Sequence, residues 1–197
     1  MLKRGFDVVV SALGLIVLSP VFAICALAVK FGSPGAVLYH TQRIGRYGKP
    51  FTLYKFRSMV AGADRMGLAV TGADDTRVTP VGRILRRSKL DELPQLYNVL
   101  RGDMSFVGPR PEVARYTALY TDDQRRILDV RPGITSLASI VYRHEEALLV
   151  GDSQRREQVY IQEVMPAKLK IDLEYARNPS LAGDIVIIFR TLLALFR

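Results

Sequence analysis

Between Arg83 and Asp103 two adjacent carboxylates, Asp91 and Glu92, follow directly on four cations, Arg83, Arg86, Arg87 and Lys89. An ionised carboxylate facing a phosphate can act as a nucleophile and form an aspartyl-phosphate-type intermediate. A neighbouring carboxylate can hold Mg²⁺, which neutralises charge on a group in transfer. Pro94 is tolerated in a first helical turn, so the spacing predicts a helix opening near Lys89 to Asp91, with both acids at its positive end. That end, together with the cations, attracts a diphosphate and lowers a carboxylate's pKa. The same residues also fit plainer roles, Asp91 as a helix cap and Glu92 as a solvated first-turn acid. Downstream, Ser105-Phe-Val-Gly-Pro-Arg-Pro-Glu112 projects Arg110 from a proline-fixed turn, and Val130-Arg-Pro-Gly-Ile-Thr135 does the same for Arg131. Each arginine suits a bidentate phosphate contact, and each equally suits a structural ion pair.

The composition narrows what such a site could serve. The chain has 197 residues, 28 Lys and Arg against 19 Asp and Glu, and a formal charge of +9. That surplus points to an anionic partner: nucleic acid, a membrane surface or a phosphorylated substrate. Apolar residues make up 49%, which excludes a disordered chain. A single cysteine, Cys25, excludes an internal disulfide framework, and with only two histidines it leaves oxygen ligands and a hard metal as the choice.

The elements that must carry this chemistry begin with an apolar run, Val8 to Val29, twenty-two residues without a charge. As a helix it is long enough for a hydrocarbon core of about 30 Å. Ser19-Pro20 interrupts it, because Pro20 lacks an N–H and crowds the carbonyl four residues earlier. Cations flank both ends, Lys3 and Arg4 before it and Lys30, Arg43 and Arg46 after it, and no acid occurs between Asp7 and Asp64. Positive charge stays cytoplasmic, so a helix that dips into one leaflet and returns competes with a simple span, the residues alone leaving both open. The apolar stretch from Asp184 to Arg197 fits either an interfacial helix or a buried terminal one.

Between these ends, alternation predicts strands at Ala36–Arg43 and Phe51–Arg57, a hairpin with basic residues on one face. Gly62 to Pro80 is polar and predicts a loop. Helical patterns cover Val81–Leu100, Tyr116–Val130 and Leu148–Arg177. No βαβ rhythm and no glycine-rich phosphate loop occurs, so a dinucleotide-type fold is not expected. The expected class is α+β and mostly helical: a re-entrant helix-break-helix membrane hairpin over residues 1–31, then a domain over 32–197 with a small basic β-hairpin and several amphipathic interfacial helices.

Four ordered motifs carry a family resemblance: Lys55-Phe-Arg-Ser-Met59, Lys89-Leu-Asp-Glu-Leu-Pro-Gln-Leu96, Gly102-Asp-Met-Ser-Phe-Val-Gly-Pro-Arg-Pro111 and Val130-Arg-Pro-Gly-Ile-Thr135. Together they resemble the bacterial sugar transferases, the monotopic phosphoglycosyl transferases, over nearly the whole chain, and its length resembles the family's minimal catalytic unit. The resemblance implies transfer of a sugar-1-phosphate from a UDP-sugar to polyprenyl (undecaprenyl) phosphate, with UMP released, a covalent phosphosugar-enzyme intermediate and a need for Mg²⁺. It implies Asp91 as nucleophile and Glu92 as its metal-associated partner. Lys55 and Arg86 would hold phosphates, and Arg110, Arg131 and Arg143 would contact nucleotide or phosphate. Asp172 falls where the family places another functional acid. It further implies that the Ser19-Pro20 break makes the first helix re-entrant, and that the enzyme lies in the bacterial inner membrane, its catalytic domain on the cytoplasmic face. Where many relatives continue the fourth motif with Gly-Trp-Ala-Gln and Asn-Gly-Arg, this chain has Ser136 to Glu146, which leaves sugar specificity open; Arg143 is the candidate match for that arginine, in different surroundings.

Three other classes compete. A membrane-anchored nucleic-acid-binding protein would use the charge, but the interleaved aromatics of a strand-binding platform are missing, so no nucleic acid is expected. An inactive scaffold of a glycan-assembly complex would keep the fold and release no UMP. A metal-dependent Asp-x-Asp glycosyltransferase lacks its triplet, Asp74-Asp75 falling in the predicted loop. Exposed apolar faces on the interfacial helices leave room for a homodimer as well as a lipid surface.

Overall fold

A computed structural model describes residues 2–66 and 75–195. It is mostly helical with two small sheets, the expected α+β class. Two helices open the chain, α1 (Leu2–Val17) and α2 (Ser19–Gly32), bent by 62° where Pro20 breaks the bonding. The break is bridged by backbone, Leu18 N–H to Gly14 and Phe22 N–H to Leu18, both 2.9 Å, and Ser19 stays exposed. No single described helix is long and apolar enough to cross a membrane, although the bent pair together has the length and composition.

The N-terminal pair does not stand apart. α1 packs along α4 (Gln95–Arg101), where Arg4 donates to the last carbonyls, Val99 at 2.6 Å and Leu100 at 2.8 Å, a cation at the negative end of a helix. Asp7, 2% exposed and the lone acid of α1, accepts from the Ser105 hydroxyl at 3.1 Å and the Phe106 amide at 3.2 Å. Lys3 donates to the Val107 carbonyl at 3.0 Å and pairs with buried Asp184 on α10 (Leu181–Leu195). Arg57 holds the end of α2 through the carbonyls of Val29 and Ser33.

The predicted hairpin is present as β1 (Leu38–Ile44) and β2 (Pro50–Phe56), antiparallel with Leu38 opposite Phe56 and Ile44 opposite Pro50. Phe51 and Leu53 face inward onto Val99 and Met104, and alternation carries Lys55 to the same side. Of the predicted loop, residues 67–74, Asp74 included, lie outside the described residues; its ends pair across a Met59–Val78 bridge and a Val60 N–H to Arg77 bond of 2.9 Å.

The helical pattern over Val81–Leu100 is two helices, the second led in by a turn that falls at the predicted Lys89–Asp91 opening. α3 (Pro80–Arg87) stops because the Ser88 hydroxyl bonds back to the Ile84 carbonyl at 2.9 Å and Lys89 takes a left-handed conformation, φ 57°. A short 3₁₀ turn, Leu90–Glu92, then leads into α4. Tyr116–Val130 is likewise divided, into α5 (Ala114–Thr117), α6 (Asp122–Arg125) and a 3₁₀ turn, because Thr121 and Gln124 form a reciprocal capping box that starts a helix afresh. Leu148–Arg177 is α8 (Ser153–Val159), a π turn Tyr160–Val164, and α9 (Met165–Arg177). The largest core gathers here, Tyr116, Tyr120, Ile127, Tyr160, Val164 and Leu169 among its members.

The two proline-fixed motifs meet as a parallel pair, β3 (Ser105–Val107) and β4 (Gly133–Thr135), with α7 (Leu137–Val141) after it. Their approach depends on Gly108, where a Cβ would lie 2.2 Å from the Arg131 carbonyl oxygen. The obstructing atom belongs to backbone, so Gly108→Ala must part the pair. Its expected cost is about 2–3 kcal/mol, read as a lower unfolding midpoint.

Candidate active site

The 3₁₀ turn brings Asp91 and Glu92 inward, 6% and 7% exposed, and not to the solvated helix mouth that the spacing predicts. Neither caps α4: Pro94 occupies the cap position, with no side-chain bond there. Lys55 from β2 donates to Glu92 Oε1 at 2.9 Å. Arg110, from the loop after β3, grips the same carboxylate with two nitrogens, Nη2 on Oε1 and Nη1 on Oε2 at 3.3 Å. Two chain segments thus converge on a carboxylate carried by a third. Asp91 stands beside this cluster with Oδ1 buried and unpartnered, a deficit that costs about 1–3 kcal/mol in a resting protein.

The two acids are driven apart. Burial raises the Asp91 pKa and Glu92 raises it further, outweighing Lys55, Lys89 and Arg86. The expectation of a lowered value for Asp91 is therefore corrected, because desolvation beats the cationic field. Burial pushes Glu92 up as well, but Arg110 and Lys55 overcome it and hold this carboxyl well below the usual range. Lys55 is itself lowered by burial, and Arg110 is raised by Glu92. Neighbouring carboxylates separated in this way are the pattern of a site with two roles.

Mg²⁺ can be tested against these groups. Among the described residues no group of three or more Asp, Glu, His or Cys converges. A hard cation held by one or two carboxylates and completed by substrate phosphates needs no such group. The Asp91 carboxylate and Glu92 Oε2, whose one hydrogen bond among the described residues is the long Arg110 contact, are oxygen donors of the right kind.

The remaining expected residues fall at graded distances from this centre. Arg86, at the end of α3, pairs with Glu146 at 3.4 Å while its charge still reaches Asp91. Arg131 and Arg143 are not brought into the cluster: Arg131 donates to the Gly102 carbonyl at 2.9 Å, and Arg143 to the Ala194 carbonyl on α10 at 2.7 Å. Asp172 on α9 is 4% exposed and lines an open cleft of about 280 Å³ whose wall includes Arg110, Glu112, Tyr160 and Lys168. Burial raises its pKa to about 7 against the pull of Lys168 and Ser136.

A folded-state pKa above the ordinary 3.8 means that Asp172 favours folding below that value and loses the contribution as pH rises through about 7. Asp172→Asn is therefore expected to gain stability relative to the native protein between pH 4 and pH 8, by at most about 4 kcal/mol. Unfolding midpoints of both proteins across that range check it; parallel curves would refute it.

Several residues of the site were not singled out from sequence. Glu112 accepts from the Tyr160 hydroxyl and lies 4.0 Å from Arg43, and Lys168 donates to Glu145 at 2.7 Å. Gln95 is 2% exposed with its Nε2 unpartnered. Only for Gln95 was a signal available, a polar side chain one helical turn beyond Asp91.

Comparison with known proteins gives the family of the chain. The family model described as bacterial sugar transferase matches residues 1–197. The chain is 38% identical to the exopolysaccharide production protein ExoY of Sinorhizobium fredii, covering 96% of this chain and 83% of that protein. It is 40% identical to the UDP-glucose:undecaprenyl-phosphate glucose-1-phosphate transferase of Escherichia coli, covering 97% of this chain and 39% of that one. A UDP-N-acetylgalactosamine-undecaprenyl-phosphate N-acetylgalactosaminephosphotransferase of Aeromonas hydrophila is 35% identical, over 97% of this chain and 43% of its own length. The chain thus spans less than half of the two longer relatives.

Proposed function

The chain belongs to the bacterial sugar transferase family, and we propose that it moves a sugar-1-phosphate from a UDP-sugar to undecaprenyl phosphate through a phosphosugar bonded to Asp91. The relatives named for that transfer support the reaction class, and the buried, unpartnered Asp91 beside a clamped Glu92 is the observation that carries the mechanism.

In the first step an Asp91 oxygen bonds to the sugar-bearing phosphorus, and the bond from that phosphorus to the oxygen bridging the diphosphate breaks. UMP leaves with the electron pair. In the second, a phosphate oxygen of undecaprenyl phosphate attacks the same phosphorus and the bond to Asp91 breaks, restoring the carboxylate. The product is a sugar diphosphate on the prenyl carrier. One site serves both substrates in turn, because each displacement happens at the same phosphorus. Lys55 and Arg110 keep Glu92 ionised and fixed; Arg86, freed from Glu146, is placed to meet a phosphate. Asp91 and Glu92 would hold Mg²⁺, whose chemistry when bound is to offset negative charge on the diphosphate.

The carrier is a lipid, so the work is done at a membrane. Val9, Leu13, Ile16 and Val17 on α1, Ile24 and Leu27 on α2, and Ile185, Phe189 and Leu192 on α10 are exposed, far more apolar surface than a water-borne face carries. The bend at Pro20, with cations at both ends of the pair, supports a re-entrant helix whose catalytic portion rests on the cytoplasmic face.

The test is UMP release from a panel of UDP-sugars with undecaprenyl phosphate and Mg²⁺. Release with one donor supports the reading, and EDTA is expected to stop it. No release from any donor would leave a scaffold as the better description.

A further inference from the structure

α4 buries two side-chain amides, and they are treated differently. Asn98 is fully engaged, accepting from the Tyr54 amide at 3.2 Å and donating to the Thr52 carbonyl at 2.7 Å and to Asp103 at 3.4 Å. It ties the helix to β2 and is structural. Gln95, one turn earlier, is also buried, yet its Nε2 donates to nothing among the described residues. A leucine or methionine would fill that space without the loss.

The missing partner has a counterpart four residues back. Asp91 Oδ1 is buried and lacks a donor, as Gln95 Nε2 lacks an acceptor. The backbone between them stays right-handed through Leu93 (φ −51°, ψ −38°) and Pro94 (φ −59°, ψ −16°), so Asp91 in the 3₁₀ turn and Gln95 at the start of α4 lie little more than one turn apart along the chain. Pro94 brings no N–H of its own to that turn. Of the nearby cations, Lys55 and Arg110 are committed to Glu92 and Arg86 to Glu146, and Lys89, whose charge also reaches Asp91, gives Oδ1 no hydrogen bond.

We propose that Gln95 is a positioning residue for the nucleophile: its Nε2 donates to Asp91 Oδ1 in the reacting arrangement and leaves the other carboxylate oxygen facing phosphorus. The assignment rests on the transfer reaction proposed above. An orphaned donor is then a cost carried by the resting fold, recovered when Asp91 is turned and locked for attack.

Gln95→Met, which keeps length and volume while deleting the donor, is expected to lower kcat for UMP release about 10- to 100-fold, with KM for the UDP-sugar within about twofold of the native value. Its unfolding midpoint should equal or exceed the native one, because a buried unpaired donor is gone. Gln95→Asn keeps the amide one methylene short, and is expected to lose kcat too, with a lower midpoint. A merely structural glutamine would behave oppositely, the Met variant losing stability and raising KM; that result overturns the proposal, as does an unchanged kcat. Native protein that releases no UMP would remove the reaction itself and this role with it, an outcome distinct from equal rates in native and variant.

Discussion

Asp91→Asn is expected to reduce UMP release by at least about 10³-fold, on the order of 4 kcal/mol of transition-state stabilisation, while the protein folds and binds membrane as before. The loss follows from chemistry: an amide cannot form the acyl phosphate on which both half-reactions depend. The intact fold follows from the site. Asp91 is buried with its Oδ1 unpartnered, and burial raises its pKa, so the ionised side chain is a burden on the folded state. A raised folded-state pKa gives stability at low pH that is lost as pH climbs through it, and the neutral amide escapes that loss. The midpoint of Asp91→Asn should therefore match or exceed the native one at pH 8. Intact-protein mass spectrometry after mixing with UDP-sugar and Mg²⁺ should show a phosphosugar adduct on the native chain and none on the variant. Turnover by Asp91→Asn would end the nucleophile assignment.

What could be read from the sequence divides along the range of the interactions involved. The β-hairpin was legible because alternation over Ala36–Arg43 and Phe51–Arg57 is a local property, and the Pro20 break because a missing N–H is local as well. The restart within Val81–Leu100 was legible from Pro94 and the paired acids, but the left-handed Lys89 that ends the first helix was not, a conformation that periodicity does not register. Asp91 and Glu92 were identifiable by type, but their opposite pKa directions were not. Asp91 is raised by burial, which only packing sets. Glu92 is lowered by Lys55 and Arg110, which come from 36 residues upstream of Asp91 and 18 residues downstream of Glu92 and meet only once β2 and the loop after β3 are packed. Arg131 and Arg143 look as suitable for phosphate as Arg110 does. Their engagement by the Gly102 and Ala194 carbonyls is a tertiary fact without a trace in the motif. Asp7 offered a hint, a lone acid in an apolar helix, and its partners on β3 explain why it is tolerated there.

Glu92→Gln is expected to be the most damaging single change to stability and to lower turnover as well. The native carboxylate neutralises two cations at once, Lys55 at 2.9 Å and a two-point Arg110. Deleting one member of a buried ion cluster leaves the rest uncompensated, at about 3–5 kcal/mol. In a chain of this size that lowers the unfolding midpoint by on the order of 10 °C. Removing the arginine as well should restore much of it, because a buried cluster replaced by apolar groups of similar volume is often neutral. Glu92→Gln combined with Arg110→Met is therefore expected to recover most of the lost midpoint, with a coupling energy of roughly 1–3 kcal/mol in the double-mutant cycle. Activity separates structure from chemistry. If Glu92 only stabilises the fold, turnover returns together with the midpoint. If it is the fixed negative charge that keeps Lys55 and Arg110 in place and shares the metal with Asp91, the double variant is as stable as the native protein and as inactive as Glu92→Gln. We expect the second result, since the cluster removed to regain stability is the one that would meet the diphosphate.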